Sequence, residues 1–393
     1  MKNHQFLVFI SVVLTIYLAG NLYIFFKGYN LIPPPRSNRI IYIIFFVALA
    51  TTFFIGRILE SRHSSVISDT LNIIGGFWMG FLVYGFLFLI ISDLAGFILK
   101  VSGILNNQMM PDFRKWSFIV TLGLSAGFII GGFINAVIPV YKKYDITIEK
   151  PAGNIKNLRI AAVSDIHLGS IIRKRSMEKL SAMLEKAQPD VVFLLGDIVD
   201  GDLGPVLRGD LLKYFTEPGT RYGLYAITGN HEFIGGAERT ISYIESKGIR
   251  LLKDEVAHLA CDIQVVGRLD RHSARFSGKE RRSLESLMAN IDHSKPIILL
   301  DHQPLNLEEA EKAGVDLQLS GHTHNGQMWP LNYITRKMFE VSYGHLRKGK
   351  TQIIVSSGYG LWGPRVRSGS RSEVILIDIS FLPDITLSQK AVK

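Results

Sequence analysis

Hydrophobic and polar positions follow two unlike patterns that meet near residue 150. Before it, four runs are almost free of charge: Phe6–Phe26, Ile40–Gly56, Leu71–Ser92 with apolar character resuming after Asp93 to Leu99, and Trp116–Val140. A bilayer crossing needs about 20 apolar residues, and these runs lack the polar face of helices that pack into a soluble core. Four transmembrane helices are expected, at about residues 6–26, 40–56, 71–99 and 116–140, within a membrane region spanning 1–150. The first run is longer than the apolar core of a cleaved signal peptide, and no small-residue cleavage pattern follows it. The spacings Gly76/Gly80 and Gly127/Gly131 would let helices approach closely. Asp93, the single acidic residue within a span, is expected near its end, reaching the interface.

After a linker at Lys150–Asn154, short β-like runs alternate with helical patterns. Strands are expected at Leu158–Val163, Val191–Leu195, Leu224–Thr228, Ile263–Val266, Ile297–Leu300, Val315–Leu319, Gln352–Val355 and Val374–Ile379. Helices are expected over Arg173–Ala187, Ala237–Ser246, Lys279–Asn290 and Asn306–Ala313. Such alternation predicts an α/β sheet domain over residues 151–393, with its functional residues at strand ends.

Charge sharpens the division. Residues 1–150 contain 12 Lys+Arg and 6 Asp+Glu; taken from the totals of 44 and 34, this leaves 32 and 28 for residues 151–393. The hydrophobicity excludes a disordered chain, and the single cysteine, Cys261, excludes a disulfide scaffold. Basic residues do not form runs interleaved with aromatics, so no nucleic-acid partner is expected. The excess sits beside the apolar spans, which points to a lipid bilayer. An even number of crossings places the N-terminus and residues 151–393 on one side. That side has Lys2, Arg57, Arg62, Lys142, Lys143, Lys150, Lys156 and Arg159 near the spans, against Lys27, Arg36, Arg39, Lys100, Arg114 and Lys115 opposite. Eight against six leans toward a multi-pass protein with a cytoplasmic catalytic domain.

Five polar clusters stand at or just beyond the ends of the expected strands. They are Asp165-Ile166-His167, Gly196-Asp197-Ile198-Val199-Asp200, Gly229-Asn230-His231-Glu232, Asp301-His302, and Gly321-His322-Thr323-His324. In extended backbone, residues i and i+2 point the same way, so Asp165 with His167, and His322 with His324, would each face one point. Taken singly, each cluster passes for turn chemistry. Five in the same structural context converge on one sheet edge as a metal-ligand set. His4, His63, His258, His272, His293 and His345 lack that context and are expected to be surface or packing residues.

The five blocks, in this order over about 160 residues, resemble the calcineurin-like metallophosphoesterase superfamily, whose pattern runs D-x-H, G-D-x-x-D, G-N-H-(D/E), H, G-H-x-H. Together with the membrane-spanning N-terminus they look like its transmembrane group, which is similar to enzymes acting on nucleotide-linked lipids in lipid A synthesis. The resemblance implies a four-layer α/β/β/α sandwich around two divalent ions. Asp165, His167 and His324 would bind one ion; Asn230, His302 and His322 would bind the other; Asp197 would bridge both. Mixed nitrogen and oxygen donors suit Mn, Fe or Zn. His231 would face the phosphate as general acid, with Asp200 or Glu232 holding its imidazole.

The Gly-rich stretch Ser357–Arg365 could set backbone amides and Arg365 against a phosphate. Residues 328–350, rich in aromatic and basic side chains, suit either an amphipathic lid near the bilayer or an ordinary insertion. The expected function is a membrane-anchored phosphodiesterase or pyrophosphatase acting on a phosphorylated, lipid-class substrate such as UDP-2,3-diacylglucosamine. A metallohydrolase of non-phosphate esters, and a membrane sensor or scaffold with a structural metal site, are the alternatives. Oligomeric state is not legible.

Overall fold

Runs without charge satisfy their backbone internally as helices, and four long ones result: α1 (Lys2–Tyr29), α2 (Arg36–Arg62), α3 (Val66–Val101) and α4 (Met110–Val137). In this computed structural model, which describes residues 2–215, 219–234, 236–259, 262–276 and 278–382, all four are long and apolar enough to cross a membrane. Cys261 lies outside the described residues. α3 starts at a reciprocal cap, in which the Ser65 hydroxyl accepts from the Ser68 amide and the Ser68 hydroxyl from the Ser65 amide. Several polar side chains within the helical unit are paired. Trp78 Nε1 donates to Asn21 Oδ1 at 3.0 Å, and Glu60 Oε2 accepts from Asn72 Nδ2 and Arg57 Nη1 at 2.9 Å each. Asp93 accepts from the Tyr23 hydroxyl at 2.6 Å and pairs with Lys27 at 2.5 Å. Helix approach occurs at Gly75, whose missing side chain admits the Phe53 backbone. Gly127 and Gly131 face open space, and Gly76 and Gly80 face residues 363–366 instead of another helix.

The second unit contains two six-stranded sheets. The first runs β1 (Val140–Ile148), β12 (Glu373–Phe381), β2 (Asn157–Val163), β3 (Val191–Leu194), β4 (Leu224–Ile227) and β5 (Arg250–Leu252). The second runs β10 (Gly344–Lys348), β11 (Thr351–Val355), β9 (Leu317–Ser320), β8 (Ile297–Leu300), β7 (Gln264–Gly267) and β6 (Glu255–His258). Period-2 alternation divides the side chains of β2 between two cores. Ile160 and Ala162 join Phe193, Val265, Leu300 and Leu319 in a core between the sheets. Ala161 and Val163 turn the other way, toward Met177, Leu180 and Leu184 of helix α5 (Lys174–Ala187). Behind the second sheet, Val266, Ile297 and Leu299 pack on Leu284, Leu287 and Ala310 from its own helices. Four layers, α/β/β/α, follow from that division.

Three boundaries differ from the sequence expectation. β1 starts at Val140, ahead of the boundary at residue 150, and pairs in parallel with β12 from Val140↔Glu373 to Ile148↔Phe381. Its first five residues are solvent-facing or half-buried, as suits an edge strand, so they show no apolar alternation. The helix expected over Lys279–Asn290 shortens to Leu284–Met288, because Ser283 caps it by accepting from the Ser286 amide at 3.1 Å. Residues 328–350 resolve into a helix at Leu331–Met338 and the edge strand β10.

Candidate metal centre

β2 through β5 run parallel to one another, as do β7, β8, β9 and β11, so each sheet collects its loops at one set of carboxyl ends. All five polar clusters occupy those loops. Their side chains do not converge through extended backbone. Asp165, His167, Asp197, His322 and His324 have φ of 52°, 52°, 50°, 71° and 48°. Non-glycine residues pay on the order of 1–3 kcal/mol each for such conformations, which cluster at functional sites. Two glycines make room. A Cβ at Gly229 would fall inside the Asp197 side chain and amide, and one at Gly321 inside the side chains of Ser164 and Asp165.

The ligand atoms of Asp165, His167 and His324 lie within 4.8 Å of one another, as do those of Asp197, His302 and His322. In the first group the two imidazoles face each other, with Nε2 to Nε2 at 3.0 Å, and Asp165 Oδ1 is 3.5 Å from His324 Nε2. In the second, His302 Nδ1 donates to the Leu195 carbonyl at 2.7 Å, which leaves Nε2 as its free nitrogen. Asp197 Oδ2 stands between the groups, 3.2 Å from His302 Nε2 and 3.9 Å from His167 Nε2. Among the described residues, Asn230 Oδ1 and His322 Nδ1 are buried without a hydrogen-bond partner, while His302 Nε2 has the Asp197 carboxylate beside it. Unpartnered oxygen and nitrogen atoms beside buried carboxylates fit divalent cations. Outer partners fix the rings: His167 Nδ1 meets Asp200 Oδ1 at 3.2 Å, and Arg367 Nη2 lies 3.1 Å from His324 Nδ1.

Electrostatics separate the histidines. Burial alone would lower His231, yet its hydrogen bond to Asp200 and the charges of Asp197 and Asp200 push it up to about 9. Burial likewise opposes charge on His302, and the Asp197 carboxylate raises it well above the ordinary histidine value. His322 is pushed down to about 4 by burial and by His302. Burial would raise Asp200, but hydrogen bonds from His167 and His231 hold it below the usual carboxylate range.

His231 lies beside the first group, its ring 4.5 Å from that of His167, and with His167 and Asp200 it forms a third cluster whose ligand-type atoms lie within 4.8 Å of one another. Its Nδ1 lies 3.3 Å from Asp200 Oδ1, and its amide donates to Asp197 Oδ1 at 2.8 Å. Asp200 therefore takes the position beside this imidazole that the sequence left open between two carboxylates. Glu232 does not share it. Its carboxylate is turned inward and accepts from the amides of Asp197, Ile198, Val199 and Gly229 at 3.0, 2.7, 3.0 and 2.7 Å. Four amides exhaust its lone pairs, so Glu232 ties two ligand loops together. Burial and the Asp197 charge raise it above the usual carboxylate value.

The Gly-rich stretch also differs from expectation. The amides of Tyr359 and Gly360 donate to the carbonyls of Ser164 and Asp165 at 2.8 Å each, so they brace the first ligand loop. Arg365 lies over the Phe133 ring at 5.5 Å. Arg367, which the sequence did not single out, is the buried arginine that reaches a ligand; no spacing distinguishes it from its neighbour. Asp301, next to His302, is committed to a fork with Arg281.

A cavity of about 410 Å³ opens over the site. Asp197, Asn230, His231, His322 and His324 form one wall, and Leu331, Ile334 and Trp362 another. Gln327 pins Trp362, donating from Nε2 to its carbonyl at 2.9 Å and accepting from its amide at 3.0 Å.

Comparison with known proteins agrees with this geometry. The profile of the calcineurin-like phosphoesterase family matches residues 158–326. An uncharacterized metallophosphoesterase of Aquifex aeolicus is 34% identical over 242 residues, covering 61% of this chain and 90% of that protein. One from Campylobacter jejuni is 27% identical over 381 residues, covering 95% and 98%. A transmembrane protein with metallophosphoesterase domain from Danio rerio is 27% identical over 396 residues, covering 94% and 88%.

Proposed function

The chain belongs to the calcineurin-like metallophosphoesterase family and is a metal-dependent phosphoester hydrolase; from that premise we propose that it is a membrane-anchored dinuclear enzyme cleaving a lipid-linked phosphodiester or pyrophosphate. The observation that supports it best is the pair of unpartnered buried atoms, Asn230 Oδ1 and His322 Nδ1, beside the Asp197 carboxylate that lies between His302 and His167. Asp165, His167 and His324 would hold one ion, Asn230, His302 and His322 another, and Asp197 would serve both. Divalent ions held there supply Lewis-acid stabilisation of a phosphoryl group.

The chain's own residues do the rest. With Nδ1 turned to Asp200, His231 keeps Nε2 for the leaving oxygen. The hydrogen bond to Asp200 favours the protonated imidazole, which can donate to that oxygen. Glu232 fixes the loop carrying Asp197 so that His231 and the ligands keep register. Leu331, Ile334 and Trp362 favour a substrate with an apolar portion next to its phosphate. Four candidate membrane spans favour a membrane-borne substrate class, and the eight-to-six basic bias supports a cytoplasmic catalytic unit.

The test uses the full chain in detergent with Mn²⁺. Bis-p-nitrophenyl phosphate should be hydrolysed and p-nitrophenyl acetate left untouched, and Asp197→Ala should lose nearly all turnover together with bound metal. Ester hydrolysis that survives in Asp197→Ala would sink the proposal.

A further inference from the structure

Away from the metal centre, the loop after β7 and the segment entering the helix Leu284–Met288 bring four arginines together. Arg268, Arg271, Arg281 and Arg282, with Lys312, line a cleft of about 810 Å³. Only two of these guanidiniums have a carboxylate contact among the described residues. Arg281 is forked to Asp301, with Nη1 to Oδ1 at 3.1 Å. Arg268 Nε is 3.5 Å from Asp254 Oδ1, and the Asp254 carboxylate also accepts from the amides of Leu269 and Arg282 at 3.0 and 2.8 Å. The other two meet carbonyls: Arg271 Nη2 donates to Leu305 at 3.2 Å, and Arg282 Nη2 to Ser286 at 3.4 Å. Arg271 Nε is buried with no acceptor among the described residues.

The remaining carboxylates facing the cleft are Glu285 and Glu309, and Glu309 Oε1 already accepts from Asn306 at 2.8 Å. Arg271, Arg282 and Lys312 therefore outnumber the acids left to meet them, with His293 beside them. A buried guanidinium N–H without an acceptor is costly, and arginine forks match phosphate oxygens in pairs. Leu284, Met288, Ala289 and Ala313 line the same cleft, so cationic and apolar surfaces share it. The volume falls within the roughly 300–1,000 Å³ of small-molecule sites.

We propose that this cleft binds a phosphorylated small molecule of nucleotide size, with its phosphates on Arg271, Arg282 and Lys312 and its uncharged part against Leu284, Met288 and Ala313. The site is separate from the hydrolytic cavity, with which it shares no lining residue.

The experiment is calorimetric titration of the detergent-solubilised, Mn²⁺-loaded full chain with α,β-methylene-ADP, a nucleoside diphosphate that resists hydrolysis. Two saturable events are expected in the wild type. Asp197→Ala should lose the metal-centre event and keep the other. Arg271→Ala/Arg282→Ala should weaken the cleft event at least tenfold while turnover of bis-p-nitrophenyl phosphate persists, and Lys312→Ala alone should weaken it less. Absence of binding in Asp197→Ala overturns the proposal, as does unchanged affinity in both arginine and lysine variants. A cleft event that survives when no metal-centre event is found anywhere would count against the proposed hydrolytic site and leave the cleft standing.

Discussion

The helical unit and the sandwich both bury polar side chains, and the main polar cluster of each is built in an opposite way. In the helices, Asn21 and Trp78 satisfy each other, and Glu60 receives Asn72 and Arg57. At the sheet ends, Asn230 and His322 keep atoms with no partner among the described residues, and five ligand-type residues hold a left-handed backbone. Paired groups contribute to packing specificity. Unpartnered buried groups and strained backbone both cost stability, and the two coincide at His322 in the candidate metal centre. The contrast separates structural polarity from chemical polarity within one chain.

The sharpest way to break it is His231→Ala. A proton donor that binds no ion should leave metal content near wild type and slow phosphodiester cleavage by about 10²–10⁴-fold. The loss should shrink for p-nitrophenolate, whose departing oxygen needs little protonation. Metal analysis alongside rates on good and poor leaving groups decides; loss of metal would make His231 a ligand.

Asp200→Asn should act more gently. Asp200 raises His231 to about 9, so wild-type kcat/KM should fall as pH climbs through that region and the donor proton is lost. Removing the carboxylate charge should move this basic limb to lower pH by about one unit and reduce the rate about tenfold. A limb that stays in place would detach it from His231.

The smallest effect belongs to the helices. Trp78→Phe removes the donor to Asn21, and hydrogen bonds between membrane helices average about 0.6 kcal/mol with a ceiling near 1.7. A stability loss of about 1 kcal/mol in thermal unfolding, with kcat/KM unchanged, is expected. A large activity loss would erase the distinction drawn above.

The two regions also differ in how well the sequence discloses them. The four helices were legible because a bilayer imposes length and apolarity on every residue of a span. The candidate ligand clusters were legible because metal chemistry restricts residue types and each cluster follows a buried strand. Contacts set by tertiary geometry were not. Glu232 lies beside His231 in sequence, yet its carboxylate turns to four amides. Arg365 and Arg367 are two positions apart, and only the fold sends one to Phe133 and the other to His324. β1 escaped notice because an edge strand with solvent-facing lysines has no apolar period.

The position of β12 has a consequence for the order of events during synthesis. It lies between β1 and β2, parallel to the first and antiparallel to the second. From Ile148 to Glu373 the ribosome must add 373 − 148 = 225 residues, which at about 5–20 residues per second takes roughly 11–45 s. Throughout that interval β1 exists with no strand to pair with, and β2 lacks the neighbour that will close its outer edge. Unpaired strands of this kind recruit stray partners. The lysines at 142 and 143 sit in the exposed part of β1, where charge discourages such pairing until β12 is made.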